Sequence, residues 1–281
     1  MAKKKLFGIF TALVTPFNQG KVDFACFRDL CKRQINAGVA GLVPCGTTGE
    51  TPTLTTEEWE QLIQIAVEEA DGKILVIAGC GTNATHSTCQ NIRRVKELGA
   101  DAGLVVFPYY NKPNPEGLLA HVTEASKEDL PMVLYHVPGR TGQRLSADLL
   151  EQLCRLPNVI GLKEATGDLN LGQELCNRLA DTDISLLSGD DFTYAALCAM
   201  GFDGAISVLS NPAPQLSVEW FDVAQTGSIP RLRELRSLLL PVVRTLFSSS
   251  NPLPCKAIMN KQGLLQNEAR LPLRAIEIEE A

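Results

Sequence analysis

Three histidines are few for a chain of 281 residues, and His86, His121 and His136 stand far apart, without the spacing that lets side chains share a metal ion. The nine cysteines are an odd number and include no CxxC pair and no Cys/His cluster. A disulfide framework is not expected in a chain this long with so rich an apolar content. Neither zinc nor any other metal is predicted. Cys45, Cys80 and Cys198 lie in apolar surroundings and read as small buried hydrophobes. No apolar stretch is long enough to span a bilayer. The basic start Lys3-Lys4-Lys5 has no apolar h-region behind it, so it is not a signal peptide. Positive charge is also scarce: 26 basic against 32 acidic residues leave a net charge of −6, which argues against nucleic-acid or anionic-membrane binding. A soluble, cytoplasmic protein is expected.

What is present is a large apolar fraction, 45% against 21% charged, enough for a substantial core. Apolar runs recur at Gly8–Thr15, Gly41–Cys45, Ile74–Gly79, Ala102–Pro108, Met132–Val137, Val159–Lys163, Ser185–Ser188 and Ala205–Val208. Each gap holds one helix and two short loops. Over Glu57–Ala70 the residues Trp59, Leu62, Ile63, Ala66 and Val67 fall on one face, with glutamates opposite. Thr55 and Thr56 are N-cap candidates, and Glu58, three residues after Thr55, completes a capping box. Ser146 opens another helix ahead of Leu149, Leu150 and Leu153.

Eight β-then-α units predict an α/β fold closed as a (β/α)8 TIM barrel. A dinucleotide-binding sheet would need a GxGxxG turn after an early strand. Gly79-Cys80-Gly81 lacks the third glycine and follows the third strand. The chain divides into a catalytic barrel over 1–225 and a C-terminal helical extension over 226–281. That extension, interrupted at Pro230, Pro241, Pro252, Pro254 and Pro272, is predicted to pack on the barrel.

Lys163 is the residue most out of place. It sits in Val159-Ile160-Gly161-Leu162-Lys163-Glu164, a strand apolar on both faces. Burial there strips hydration from the ammonium and favours the neutral amine, the form that attacks a ketone to give a Schiff base. The alternatives are an ion pair, with Glu164 as one partner, or a lysine snorkelling at a strand end. Active sites of such barrels lie at the C-terminal strand ends. Those ends carry Gly46-Thr47-Thr48-Gly49-Glu50, Pro108-Tyr109-Tyr110-Asn111-Lys112-Pro113, Tyr135 followed by Pro138-Gly139-Arg140-Thr141-Gly142, and Ser188-Gly189-Asp190-Asp191; the eighth strand holds Ile206. Taken singly, these are a tight turn, a barrel-filling aromatic and a surface charge. Together on one rim they describe a site.

The motifs GTTGE, PYYNKP, LYHVPGRTG and GLKEATG, in this order, resemble the pyruvate-dependent class I aldolases of the N-acetylneuraminate lyase superfamily, and within them the dihydrodipicolinate synthases. The resemblance runs from about Gly8 to about Leu273. It implies a Schiff-base lyase that condenses pyruvate with L-aspartate 4-semialdehyde in diaminopimelate and lysine biosynthesis. No cofactor beyond the covalent link to Lys163 is implied, and the assembly would be a homotetramer built as a dimer of dimers. Lys163 matches the Schiff-base lysine, and Tyr135 the proton-shuttling tyrosine. Thr48 and Tyr110 would complete a hydroxyl relay, with Tyr110 donated across the dimer interface. Thr47 would hold the pyruvate carboxylate with neighbouring amides, Arg140 the semialdehyde carboxylate, and Gly189 and Ile206 would line the pyruvate pocket.

Departures from the family pattern are His136 in place of a common asparagine, expected to face away from Tyr135, and Gly139 in place of a common serine. Asn83 and Tyr109 match contacts of a lysine-inhibition site, but Thr56, Trp59 and Ser87 replace its usual histidines and glutamate. Weak or absent inhibition by lysine is expected. Two rivals remain. An N-acetylneuraminate lyase or 2-keto-3-deoxy sugar-acid aldolase would share Lys163 and Tyr135 but generally lack Arg140. A catalytically dead keto-acid-binding barrel would be expected to have lost some relay residues.

Overall fold

A strand buried on both faces needs a neighbour on each edge and a helix on its outer side, and alternating βα units supply both. The computed structural model, which describes residues 5–278, meets this demand with eight parallel strands. They are β1 Gly8–Ala12, β2 Gly41–Val43, β3 Leu75–Gly79, β4 Ala102–Val106, β5 Met132–His136, β6 Val159–Glu164, β7 Ser185–Ser188 and β8 Gly204–Ser207. They pair in sequence order, and β8 returns to β1 with Ile206 opposite Phe10, so the barrel closes.

Two apolar layers result. Phe10, Val43, Leu104, Val133, Leu187 and Ile206 fill the barrel interior. Leu42, Val105, Leu134 and Leu162 point outward against helices α1 Phe24–Asn36, α2 Thr56–Ala70, α3 Thr85–Glu97, α4 Pro115–Ala125, α5 Ala147–Cys154, α6 Leu169–Arg178, α7 Tyr194–Met200 and α8 Pro214–Thr226. The capping box at Thr55 and Glu58 is formed, and Ser146 caps α5 by accepting from the Leu149 amide. Cys45, Cys80 and Cys198 are buried and unpaired as expected. Lys3 and Lys4 lie outside the described residues; Lys5 pairs with Asp203 at 2.8 Å.

Most ladders are shorter than the apolar runs that announced them. β1 stops at Ala12 although Leu13–Thr15 remain buried, because burial continues into the rim loop after the hydrogen-bonded pairing has ended. A small hairpin, Phe17–Asn18 with Lys21–Val22, was not expected. One proline of the extension, Pro241, acts differently from expectation. Pro230 sits in the first turn of α9 Ile229–Leu246, a tolerated position, and α9 runs on through Pro241 instead of breaking there. Leu239 and Val243, buried on either side of Pro241, hold the two halves of α9 to the core. Pro252 and Pro254 mark the start of α10 Leu253–Lys261.

The extension is tied to the rim loop after β2. Lys256 on α10, 1% exposed, forms an ion pair with Glu50, 2% exposed, and donates to the Glu268 carbonyl at 2.8 Å. The other Glu50 oxygen accepts from the Arg270 amide at 3.1 Å, and Arg270 in turn grips Glu58 of α2 at 2.6 Å. Every charge is therefore met, which burial of ions requires. Replacing Lys256 with alanine strands the Glu50 carboxylate in the interior and should cost about 3–5 kcal/mol. Urea denaturation of Lys256→Ala checks this; a loss below about 1 kcal/mol would show that water already solvates the pair.

Candidate active site

Strand alternation sends Tyr135 into the barrel and His136 out of it. Tyr135 lies opposite Lys163 in the β5–β6 register, and the Lys163 Nζ sits over its ring, 4.1 Å from the centroid. Lys163 is 6% exposed. Among the described residues its ammonium has no hydrogen-bond or ion-pair partner. The Glu164 alternative fails for the same geometric reason: the next residue of a strand faces the other way. Glu164 is wholly buried on the outer side, where it accepts from Thr166 N at 2.9 Å and pairs with His136 Nδ1 at 3.2 Å. His136 Nε2 accepts from the Leu145 amide, so Nδ1 carries the proton. His136 thus packs behind the sheet and ties the loop that carries Arg140 to β6.

Gly189, at the end of β7, lies against the lysine: a Cβ there would sit 2.8 Å from Cε of Lys163. Thr48 is buried in a short turn, Thr47–Gly49, whose flanking residues Cys45 and Glu50 adopt the left-handed conformation without being glycine. Such strain persists where surrounding contacts impose it. Here Thr51 Oγ1 donates to the Gly46 carbonyl at 2.9 Å, and Glu50 is held by Lys256 and Arg270. Thr47 is half-buried, and with Tyr135 and Arg140 it borders a cleft of about 620 Å³. The cleft extends past Tyr109 to Trp59 and Arg94. Burial pushes the Cys80 thiol in its wall up to about 12, which leaves it an inert hydrophobe.

Below the rim, Asp191 organises the turn after β8. It accepts from Ser207 Oγ at 2.6 Å and from the amides of Val208 and Leu209 at 2.9 Å. Burial drives its carboxyl up to about 6, while these donors pull the other way. A buried lysine on a tyrosine ring, with a guanidinium and a threonine bordering the adjoining cleft, suits chemistry on a small keto acid.

The sequence pattern of the Dihydrodipicolinate synthetase family matches residues 5–281. The chain belongs to this family. A 4-hydroxy-tetrahydrodipicolinate synthase from Methanospirillum hungatei is 41% identical over 269 residues, covering 95% of this chain and 92% of that one. The dihydrodipicolinate synthase structure from Thermotoga maritima is 40% identical with a TM-score of 0.94, covering 98% of this chain and 94% of its own. The chloride-inhibited enzyme from Acinetobacter baumannii, complexed with pyruvate, is 39% identical with a TM-score of 0.93, covering 96% and 94%.

Of the residues singled out on the family resemblance, Lys163, Tyr135, Gly189 and Ile206 meet inside one barrel mouth, with Thr47, Thr48 and Arg140 around it. Tyr110 does not join them within the chain. It is 89% exposed on a left-handed backbone, φ +72°. Asn83 donates to the Tyr109 carbonyl at 3.3 Å, and Thr56 and Trp59 line the far end of the cleft. Asn251 was missed. It comes from the extension, which had been read as packing alone, and its Nδ2 donates to Thr48 Oγ1 at 2.9 Å. The signal was the pair of prolines in Asn251-Pro252-Leu253-Pro254, which marked a special turn without saying where it goes.

The Asp191 carboxyl keeps its proton in the folded chain between about pH 4 and 6, whereas the unfolded chain releases it near 3.8. Stability from this group is therefore full below pH 4 and is lost as pH rises through 6. Asp191→Asn, whose amide oxygen can take both backbone N–H groups, should gain on wild type by on the order of 3 kcal/mol between pH 4 and 7.5. Denaturant titrations at both pH values measure the difference; parallel curves would contradict it.

Proposed function

We infer that the chain is a 4-hydroxy-tetrahydrodipicolinate synthase, a class I aldolase-type lyase that joins pyruvate to L-aspartate 4-semialdehyde. The observation that carries this reading is the buried Lys163 amine, without an ion-pair partner among the described residues, seated on the ring of Tyr135, which together with Arg140 lines the cleft. The amine adds to the ketone carbon of pyruvate and water leaves, giving an iminium. The iminium withdraws electrons, so a methyl proton departs and an enamine forms. The enamine carbon bonds to the aldehyde carbon, and the aldehyde oxygen takes up a proton. The substrate's own amino group then displaces Lys163 and closes the ring. Lys163 is itself the electron sink, so no organic cofactor or metal is required.

Tyr135 and Thr48 move the protons, since hydroxyls both donate and accept. Thr47 and nearby amides hold the pyruvate carboxylate, with Gly189 and Ile206 forming the pocket wall. Arg140 meets the semialdehyde carboxylate with a planar fork suited to two parallel hydrogen bonds. The exposed, strained Tyr110 supports its insertion into the site of a second copy, with the homotetramer of the family resemblance as the full assembly. Biosynthesis from these metabolites supports a cytoplasmic location. Arg140 disfavours a sugar-acid aldolase, whose acceptors are polyhydroxylated.

Turnover is measured by coupling the product to NADPH oxidation through an added dihydrodipicolinate reductase. Wild type should turn over and Lys163→Ala should not. Arg140→Ala should raise the KM for the semialdehyde far more than that for pyruvate, with a loss in kcat/KM of about 10²-fold or more. Inactive, folded wild type that still forms a borohydride-trapped pyruvate adduct would favour the sugar-acid aldolase. Trp59 and Thr56 at the far end of the cleft supply neither the charge nor the imidazoles a lysine effector would use, so half-inhibition should require lysine above the millimolar range. Half-inhibition at sub-millimolar lysine would sink that expectation.

A further inference from the structure

The turn between α9 and α10 reaches both ends of the site at one residue. Asn251 Nδ2 donates to Thr48 Oγ1 at 2.9 Å, and Arg140 Nη2 donates to the Asn251 backbone carbonyl at 3.2 Å. The remaining polar atom of that side chain, Oδ1, is buried without a partner. An orphan acceptor of this kind carries a desolvation cost, so the orientation of the amide has a reason other than its own satisfaction.

A hydroxyl that accepts a hydrogen bond from an N–H cannot direct its own proton along that line. With Asn251 donating, the Thr48 proton has to point away from the extension. We propose that Asn251 is a positioning residue, supplied by the C-terminal extension, that sets the direction of the Thr48 hydroxyl and holds Arg140 at the mouth. The inference rests on Thr48 acting in the proton relay. It gives the extension a part in the chemistry: the side chain of Asn251 orients the pyruvate end, and its backbone carbonyl orients the semialdehyde end.

Asp and Ala at this position separate the proposal from a packing role. An aspartate has the shape of asparagine but accepts where Asn251 donates, so it draws the Thr48 proton towards itself. An alanine merely leaves the hydroxyl free to turn. Orientation therefore predicts that Asn251→Asp is the worse enzyme, whereas packing predicts that the smaller alanine is worse. The Arg140 contact is to backbone and survives both changes.

The experiment compares wild type, Asn251→Asp, Asn251→Ala and Thr48→Val as full-length protein in the coupled assay, with thermal melting run alongside. Asn251→Asp is expected to melt near wild type and to lose about 10²-fold in kcat. Its KM for the semialdehyde should stay within about threefold, and its kcat should recover as the pH is lowered and the carboxylate gains a proton. Asn251→Ala is expected to lose about tenfold. The proposal is overturned if Asn251→Asp keeps wild-type kcat, or if Asn251→Ala is the slower enzyme with losses that track melting temperature. Should Asn251→Asp fail to fold, wild-type kcat in Asn251→Ala overturns it and a roughly tenfold loss at unchanged melting temperature supports it. Thr48→Val separates the two levels. If it is inactive while Asn251→Asp is normal, the inference alone fails; if it is fully active, the relay reading fails with it.

Discussion

A lysine placed inside a closed barrel, without an ion-pair partner among the described residues, is the constraint on which the rest of this structure turns. Removing a cation from water is costly unless it is paired, and Lys163 is packed on an aromatic ring and against a glycine instead. Strand alternation separates it from the nearest acid in sequence, Glu164, which His136 and the Thr166 amide engage on the opposite face. The same feature explains Gly189: any side chain there would collide with the methylenes of the lysine.

Around this amine the rim is held by charges that are paired. Lys256 and Arg270 bring the extension down onto Glu50, the last residue of the strained turn that carries Thr47 and Thr48. Asn251 adds a contact to Thr48 itself and another to Arg140. A site built on loops needs such outside support if its groups are to stay within reach of one another. The helices after the eighth barrel unit are accordingly part of the site's framework, through named contacts at Glu50, Thr48 and Arg140.

Much of this was legible in the chain. The eight strands and the caps at Thr55 and Ser146 depend on local patterning, and so does the outward face of His136. Lys163 stood out because a charge in a doubly apolar strand has few structural reasons to be there. Contacts across more than 200 residues were not legible. Nothing local to Glu50 points to Lys256, nothing local to Thr48 points to Asn251, and Pro241 looked like a break because its sequence neighbours do not show the packing of Leu239 and Val243 that carries α9 through it. Strand ends were overestimated where burial outlasts hydrogen bonding. Tyr110 was visible as a motif residue, but its 89% exposure shows that a single chain does not bring it to the lysine.

The central claim is that Lys163 is the amine that captures pyruvate. Its most direct test is to incubate the protein with pyruvate, reduce with borohydride, and map the modified peptide by mass spectrometry. The account predicts one reduced pyruvate per chain, located on Lys163 and absent from the Lys163→Ala protein. An unmodified Lys163, or a label on another lysine that persists in the variant, would contradict it.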